Sequence, residues 1–261
     1  MNNIYMPLAH KIIDIKQESA IEWLFVVEFS EKCQPGQFVE VSLPKVGEAP
    51  ISITKVNNGD NTIELLIRKV GRVTDALFDL KVGDNLFLRG PYGNGFDLDK
   101  MRNKEVIVIS GGSGLAPVRP IVREFYQNSS FRLLAGFKDL SGILFKEELD
   151  MWQAANKNVH VTLDCDNEIC LVGFVTDHID MILEGVNKDN CCVIVVGPPL
   201  MMKFTTQTLL NNGIAKDDII VSFERNMSCA VGKCGHCKID ETYVCLEGPV
   251  FAYPKAEKLL D

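Results

Sequence analysis

Four of the nine cysteines are crowded into one short stretch near the end of the chain. They are Cys229, Cys234, Cys237 and Cys245, and their order reads C-x4-C-x2-C-x7-C. This spacing is typical of plant-type [2Fe–2S] sites, in which one loop wraps the cluster and a later cysteine closes it. Four thiolates would also suit a structural zinc ion, but zinc sites usually combine two short C-x2-C pairs. The spacing therefore favours a [2Fe–2S] cluster over zinc.

The other five cysteines are scattered along the chain and are interpreted as small buried hydrophobic residues. Residues 1–16 lack the basic flank and apolar core of a secretory signal, and no apolar run reaches the ~20 residues that cross a bilayer. A cytoplasmic location without membrane contact is therefore expected, and disulfides are disfavoured there. The scattered cysteines are Cys33, Cys165, Cys170, Cys191 and Cys192.

The charge balance excludes one class of partner. Lys and Arg number 27 against 35 Asp and Glu, which gives a formal net charge of −8. An acidic chain without a stripe of Lys and Arg is poorly suited to a polyphosphate backbone. Nucleic acid is therefore not expected to bind.

A glycine-rich sequence follows a predicted buried strand near the middle of the chain. The strand covers residues 105–109, and residues 110–117, S-G-G-S-G-L-A-P, then open a predicted helix. Glycines let the backbone approach a pyrophosphate, and a helix N-terminus offers free N–H groups to it. A similar strand-then-turn sequence, V-V-G-P-P-L-M-M, covers residues 195–202, and Met202 within it is interpreted as a core residue. Ligands of parallel sheets bind beyond the carboxyl ends of strands, so both loops are expected to line one crevice.

Two further motifs lie in the first third of the chain. Residues 49–52, A-P-I-S, place a hydroxyl at the start of a predicted strand. Residues 67–74 combine Arg68, Gly71 and Thr74 in one predicted loop, a set that suits a phosphate group. Each motif alone is more often a surface turn than a ligand site.

The surrounding elements change character along the chain. Up to about residue 98, short alternating runs separated by Gly, Pro and Asn predict an antiparallel barrel or sandwich. From 99 to 223, apolar strand-like runs alternate with helical periodicity, which predicts an α/β domain with a parallel sheet. Residues 224–261 are too few to bury a core, so a bound metal or cluster is expected to supply part of their folding free energy. Three segments are predicted, 1–98, 99–223 and 224–261.

The motifs, in this order, resemble those of the electron-transfer subunits of the ferredoxin-reductase superfamily. The residues that carry the resemblance are I-R-x-x-G-x-V-T, G-P-Y-G-N-G-F, G-G-S-G-L-A-P, V-G-P-P-x-M-M and the cysteine cluster. The branches that the chain resembles serve dihydroorotate dehydrogenase, sulfhydrogenase and anaerobic sulfite reductase, and the sulfite reductase branch is the most similar of these. One position departs from many superfamily members, because Ala49 stands where an arginine is common.

The resemblance implies FAD on the barrel, NAD(H) on the parallel-sheet domain and a [2Fe–2S] cluster on the four cysteines. FAD would be bound by Pro50, Ile51, Ser52, Leu66, Ile67, Arg68, Gly71, Val73 and Thr74. NAD(H) would be bound by Gly111, Gly112, Ser113, Gly114, Leu115, Ala116, Pro117, Gly197, Pro198, Pro199 and Met201. NADH is preferred over NADPH because Asp139 follows the second strand of this domain, where an acidic group can bind a ribose hydroxyl.

The implied function is electron transfer from NADH to a partner subunit. The expected partners are the sirohaem and iron–sulfur subunits of an anaerobic sulfite reductase, with a dihydroorotate dehydrogenase or sulfhydrogenase complex as the alternative. The apolar residues Met227, Ala230 and Val231 are expected near the surface, where such a partner could dock, or packed onto the flavin domain. A zinc-stapled regulatory module that binds nucleotides is the alternative that performs no redox chemistry.

Overall fold

The computed structural model describes residues 4–259. Residues 1–3 and 260–261, which belong to the first and last predicted segments, lie outside the described residues. The chain divides into two compact units. The first consists of Met1–Phe96 and Phe223–Val250, and the second of Asp97–Ser222 and Phe251–Asp261. Residues from the tail are thus shared between both units.

The elements follow the chain in this order. The strands are β1 (Leu8–Gln17), β2 (Glu22–Glu28), β3 (Phe38–Leu43), β4 (Gly47–Asn57), β5 (Thr62–Arg68), β6 (Asn85–Tyr92), β7 (Glu105–Gly111), β8 (Arg132–Phe137), β9 (Val159–Leu163), β10 (Leu171–Val172), β11 (Cys191–Val196), β12 (Ile219–Ser222), β13 (Lys238–Ile239), β14 (Thr242–Tyr243) and β15 (Val250–Ala252). The helices are α1 (Arg72–Leu77), α2 (Leu98–Met101), α3 (Leu115–Phe125), α4 (Lys146–Ala155), α5 (Ile179–Leu183), α6 (Pro199–Asn211), α7 (Val244–Glu247) and α8 (Tyr253–Ala256).

The first unit is built on a closed antiparallel barrel in the order β1-β2-β5-β4-β3-β6. Side chains alternate between the two faces of each strand, so every second residue points into the barrel. Val39, Val41, Ile53, Leu65 and Ile67 belong to the resulting core. The predicted antiparallel barrel is therefore confirmed, and closure leaves its six strands without a free edge.

The structure corrects two local predictions in this unit. Residues 49–52 lie inside β4 rather than at a strand start. The end of the predicted loop at 67–74 is helical, because α1 begins at Arg72. Val73 and Leu77, four residues apart, both pack against the barrel core, and this apolar face stabilises the helix.

The second unit contains a sheet in the order β10-β9-β8-β7-β11-β12-β15. Neighbouring strands from β10 to β12 are parallel, which confirms the predicted parallel-sheet domain. The chain proceeds from β7 towards β10 on one side and from β11 towards β12 on the other. The order therefore reverses between β7 and β11, and ligands of such sheets bind where this reversal opens a crevice.

The helices of the described chain do not include a membrane-spanning candidate. Between residues 4 and 259, none is both long and apolar enough to cross a bilayer.

Candidate functional site

The predicted flavin residues of β4 divide between the two faces of the strand. Pro50 pairs with Glu40 and Ser52 pairs with Phe38 across β3 and β4. Because side chains alternate, Ile51 points the other way and packs against the barrel core. Pro50 and Ser52 can therefore present side chains to a ligand on the outer face, whereas Ile51 can offer only its backbone.

The same alternation divides the predicted residues of β5. Ile67 is fully buried in the core, whereas Leu66 and Arg68 lie on the outer face. The Arg68 side chain is 50% exposed, and its Nε lies 3.3 Å from Oε1 of Glu22 on β2. Glu22 is buried and accepts a hydrogen bond from the Ser19 hydroxyl. A flavin pyrophosphate at Arg68 would therefore share the guanidinium with Glu22.

Thr74 organises the turn that leads into α1. Its Oγ1 accepts hydrogen bonds from the N–H groups of Val70 and Gly71, each at 3.1 Å, and donates to the carbonyl of Gly71. The backbone at Gly71 is extended, so its conformation does not require glycine. Since the Thr74 hydroxyl already has these partners, its contribution to a phosphate site is to shape the loop beside Arg68.

The two predicted nucleotide loops lie side by side in the second unit. A Cβ placed on Gly114 would lie 2.5 Å from the carbonyl oxygen of Val196, so the first loop touches the end of β11. The Met201 sulfur lies 3.2 Å from the Cβ position of Gly111 and 2.6 Å from that of Gly197. Both loops follow adjacent strands, because Ser110 and Val196 are paired in register. The structure thus brings the two loops together at the reversal between β7 and β11.

Burial separates the residues of these loops that could touch a nucleotide from those that could not. The side chains of Leu115, Ala116 and Pro117 are buried, so only the backbone at the start of α3 is available. The hydroxyl of Ser110 is buried and lacks a hydrogen-bond partner among the described residues. The unpaired Ser110 hydroxyl lies beside the glycine loop, in which a side chain at Gly114 would collide with the backbone of Val196. Both features fit a site that closes around a nucleotide. Met202 is buried, as predicted.

Asp139 lies just beyond β8 and caps a short turn. Its Oδ1 accepts hydrogen bonds from the N–H groups of Ser141 and Gly142, at 2.9 and 3.2 Å, and from the Ser141 hydroxyl. The bond from the Ser141 side chain is the main cause that lowers the pKa of Asp139. The carboxylate is therefore fixed and charged at the end of the strand, in the position from which we predict contact with a ribose.

The four clustered cysteines are brought together by a loop and a small hairpin. β13 and β14 form an antiparallel pair that returns the chain, so the N–H of Cys245 lies 3.5 Å from the sulfur of Cys237. The N–H of Gly232 donates to the sulfur of Cys245 at 3.2 Å. Gly232 has a φ of +68°, and a Cβ there would lie 2.1 Å from Leu246, so this position requires glycine. The seven residues between Cys237 and Cys245 thus contain the β13–β14 hairpin.

Backbone N–H groups surround the sulfur of Cys229. Those of Lys233, Cys234 and Val231 lie 3.3, 3.4 and 3.5 Å from it. Burial alone would raise the pKa of Cys229, but these donors lower it to about 6. In contrast, burial raises the pKa of Cys245 to about 12. Donors aimed at sulfur stabilise a thiolate, which is the form that binds metal.

The thiols are arranged in two pairs. Side-chain hydrogen bonds join Cys229 to Cys234 and Cys237 to Cys245. Within the described part of the chain, no three His, Cys, Asp or Glu side chains are placed to hold one metal ion. Two pairs of thiols fit two irons, each bound by two cysteines, better than one tetrahedral zinc ion. The donor set therefore fits an iron–sulfur cluster.

The predicted burial of the five scattered cysteines is only partly confirmed. Cys191 and Cys192 are buried, but Cys165 is exposed and Cys33 and Cys170 are half-buried. Cys165 lies in the connection between β9 and β10, outside the buried strands, so it is not the buried residue that we predicted.

The apolar residues of the cysteine loop pack inward. Met227 is 7% exposed and Ala230 is 2% exposed, so of the two expected positions, surface docking is wrong for these residues. Val231 is half-buried, and His236 is exposed. The loop lies in the same compact unit as the barrel, and packing within that unit covers these side chains.

Three ionisable residues near the flavin motif are not among the residues predicted for the site. Glu40 and Arg89 are 0% and 6% exposed, and Glu48 pairs with Arg89. The charged residues at 40 and 89 occur among alternating apolar residues, a pattern that usually marks solvent-facing positions. No local signal in the sequence therefore identifies them as buried.

Three family models match successive parts of the chain. An oxidoreductase FAD-binding domain matches residues 14–96, and an oxidoreductase NAD-binding domain matches residues 108–207. The iron–sulfur cluster binding domain of dihydroorotate dehydrogenase B matches residues 224–256. FAD-binding, NAD-binding and iron–sulfur-binding domains are therefore all present, and the predictions of FAD, NAD(H) and an iron–sulfur group are confirmed at this level.

Curated relatives match over nearly the full chain. Sulfhydrogenase 1 subunit gamma of Pyrococcus furiosus is 36% identical over 97% of this chain and 92% of its own length. A probable dihydroorotate dehydrogenase B (NAD(+)) electron transfer subunit of Methanothermobacter thermautotrophicus is 33% identical over 95% of this chain and 89% of its own. Both names describe subunits, so the relatives act within larger complexes.

Solved structures share the fold at lower identity. The structure of an NADH-dependent reduced ferredoxin-NADP oxidoreductase has a TM-score of 0.77 at 22% identity, over 97% of this chain and 93% of that one. The ferredoxin reductase of carbazole 1,9a-dioxygenase has a TM-score of 0.70 at 22% identity, over 82% of this chain and 68% of that one. With the domain matches and the curated relatives, these findings show that the chain is an oxidoreductase-type subunit of the ferredoxin-reductase-like FAD- and NAD-binding family that includes the electron-transfer subunits of sulfhydrogenase and dihydroorotate dehydrogenase B.

Proposed function

We propose that this chain oxidises NADH and delivers the electrons one at a time to a partner subunit. The observation that carries the proposal is the pairing of four thiols, with N–H donors aimed at their sulfurs, within the unit that also contains the flavin motif. A bound flavin supplies the exchange between two-electron hydride donors and one-electron acceptors.

In this proposal each group of residues has one task. Cys229, Cys234, Cys237 and Cys245 hold a [2Fe–2S] cluster. Pro50, Ser52, Arg68 and the backbone beside Thr74 hold FAD on the barrel. The loops at Gly111–Pro117 and Gly197–Met201 orient NADH, and Asp139 selects NADH by repelling the additional phosphate of NADPH. A comparison of kcat/KM for the two nucleotides tests this selection, and a preference for NADPH would contradict it.

The composition of protein purified without oxygen tests the proposal. We expect FAD, together with iron and acid-labile sulfide in equal amounts, and bleaching of the visible spectrum by NADH. Cys234→Ser should lose most of the iron, whereas Cys165→Ser, which changes another exposed cysteine, should retain it. Zinc in place of iron, or protein without flavin, would support the regulatory-module alternative instead.

The partner is proposed from the motifs that resemble the sulfite reductase branch. We propose sirohaem and iron–sulfur subunits of an anaerobic sulfite reductase, because five short segments resemble that branch: residues 36–44, 47–52, 196–199, 231–237 and 243–245. The sulfhydrogenase and dihydroorotate dehydrogenase relatives favour the alternative complexes to the same degree. Affinity purification from the native host distinguishes them: a co-purifying sirohaem protein supports the first, and a hydrogenase or dihydroorotate-oxidising subunit contradicts it.

The proposal also places the chain in the cytoplasm. The nine cysteines all lie among residues 4–259 and are free thiols there, a state that a reducing compartment preserves. Fractionation of native cells tests the location, and recovery outside the cytoplasmic fraction would contradict it.

A further inference from the structure

Arg89 is a buried arginine whose partners come from two distant parts of the first unit. It lies on β6 and is 6% exposed. Its Nη1 donates to the carbonyl oxygen of Cys229 at 2.8 Å, and its Nη2 donates to the carbonyl oxygen of Ser228. Its Nε lies 3.1 Å from the nearer carboxylate oxygen of Glu48 on β4. One guanidinium therefore joins the barrel to the first cysteine of the cluster loop.

The position of Glu48 makes this junction relevant to the flavin motif. Glu48 precedes Pro50 by two residues on β4, so both side chains point to the same face of the strand. Glu40 pairs in register with Pro50 on one side and with Arg89 on the other. β4 carries the flavin motif and β6 carries Arg89, and the two strands lie on either side of β3 in the barrel.

Further contacts hold the cysteine segment, residues 228–249, near this face. Asn94 donates through Nδ2 to the carbonyl of Glu247 at 3.0 Å. A Cβ on Gly93 would lie 2.6 Å from Pro249. These contacts follow directly after β6, so the segment is held beside Arg89 at both of its ends.

The chemistry of the site requires an arginine. Only a planar guanidinium offers several donors in a fixed fork, which here serve two carbonyl groups and one carboxylate together. A lysine would carry the same charge but could not reach all three with that geometry. Burial lowers the pKa of Arg89, but the hydrogen bonds that Arg89 donates to Glu48 and Tyr92 raise it by more, so the group stays charged.

We propose that Arg89, paired with Glu48, is the positioning residue that fixes the first cysteine of the iron–sulfur loop against the flavin-binding face of the barrel. The proposal rests on the proposed function and extends it, because it names what sets the cluster in place relative to the flavin motif. Loss of the guanidinium removes its donors from two carbonyl groups and from the half-buried carboxylate of Glu48, and the loop is then free to shift.

The test compares Arg89→Met with Arg119→Met in protein purified without oxygen. Arg119 is 5% exposed and pairs with the half-buried Glu148 in the second unit, so its removal also breaks the ion pair of a buried arginine. We expect Arg89→Met to shift or broaden the EPR spectrum of the dithionite-reduced cluster. Release of iron to a chelator should be at least about tenfold faster, because charge-assisted hydrogen bonds are lost. Arg119→Met should leave both readouts as in the wild type.

Milder variants keep the test decisive if Arg89→Met does not fold. Arg89→Lys retains the charge but loses the fork, and Glu48→Gln weakens the pair; both should shift the EPR spectrum in the same direction and retain FAD. An unchanged spectrum and unchanged iron release in the Arg89 and Glu48 variants would overturn the inference while the proposed function stands. Wild-type protein without an iron–sulfur signal would overturn both.

Discussion

At the scale of single residues, burial of charge is the main feature that distinguishes the outer face of the barrel. Glu40 is fully buried, and neither of its carboxylate oxygens has a hydrogen-bond partner among residues 4–259. Burial raises the pKa of Glu40 to about 7, although Arg89 acts in the opposite direction. A carboxyl group in this state is a source of pH-dependent stability.

Glu40→Gln is expected to flatten the dependence of stability on pH. In the unfolded chain Glu40 loses its proton near 4.5, whereas in the folded protein it does so near 7. Between these values the folded state binds more protons, so stability is greatest at low pH and falls as the pH rises through 7. The wild type should lose up to about 3 kcal/mol of unfolding free energy from this group. Urea unfolding from pH 5 to pH 8 measures it, and parallel profiles for both proteins would contradict the prediction.

At the scale of elements, the strand–turn–helix after β7 depends on close contact with the end of β11. The 3₁₀ turn at Gly112–Gly114 leaves no space for a side chain at Gly114, because the backbone of Val196 lies against it. Gly112 differs, since its Cβ position is open but its φ is +53°. The two glycines therefore have different physical reasons for being glycine.

Gly114→Ala is expected to disrupt this contact more than Gly112→Ala. The new methyl group would collide with backbone, and overpacking of this kind costs about 1–3 kcal/mol and displaces the loop. Gly112→Ala costs about 1 kcal/mol, through its left-handed conformation alone. Thermal unfolding and NADH titration measure both effects, and we expect at least a tenfold weaker affinity for NADH only in Gly114→Ala. Equal affinities in the two variants would show that the close contact does not shape the nucleotide loop.

At the scale of the whole molecule, the tail does not form a unit of its own. Residues 223–250 pack with the barrel and residues 251–259 with the parallel sheet. The short elements of the former segment, β13, β14 and α7, contain two to four residues each. Elements this short cannot bury enough apolar surface to be stable alone, so the cluster and the barrel must hold them.

Anaerobic removal of iron by a chelator is expected to unfold this segment locally. Hydrogen exchange should lose protection in residues 223–250, because their stability depends on metal binding, whereas β7 and β11 should keep theirs. The central sheet is the internal control, since it belongs to the other unit. Full protection of residues 223–250 in the iron-free protein would mean that packing on the barrel alone folds the segment.

Features that depend on neighbouring residues can be predicted from the sequence. The strand predicted at residues 105–109 is observed as β7, Glu105–Gly111, because an apolar run is a local property. The glycine loop was predicted from a strand and a helix that adjoin it. The cysteine spacing indicated an iron–sulfur site, because the ligands lie within one loop and one hairpin.

Features that depend on distant residues could not be predicted and are visible only in the folded chain. Arg89 contacts Cys229 although 140 positions separate them, and the sequence around either residue does not indicate the contact. The burial of Glu40, Met227 and Ala230 has the same origin, because what covers a residue depends on which segments fold together. Local pattern fixes the direction of a side chain relative to its own strand or helix, whereas solvent exposure is fixed only when the distant segment that covers it has packed.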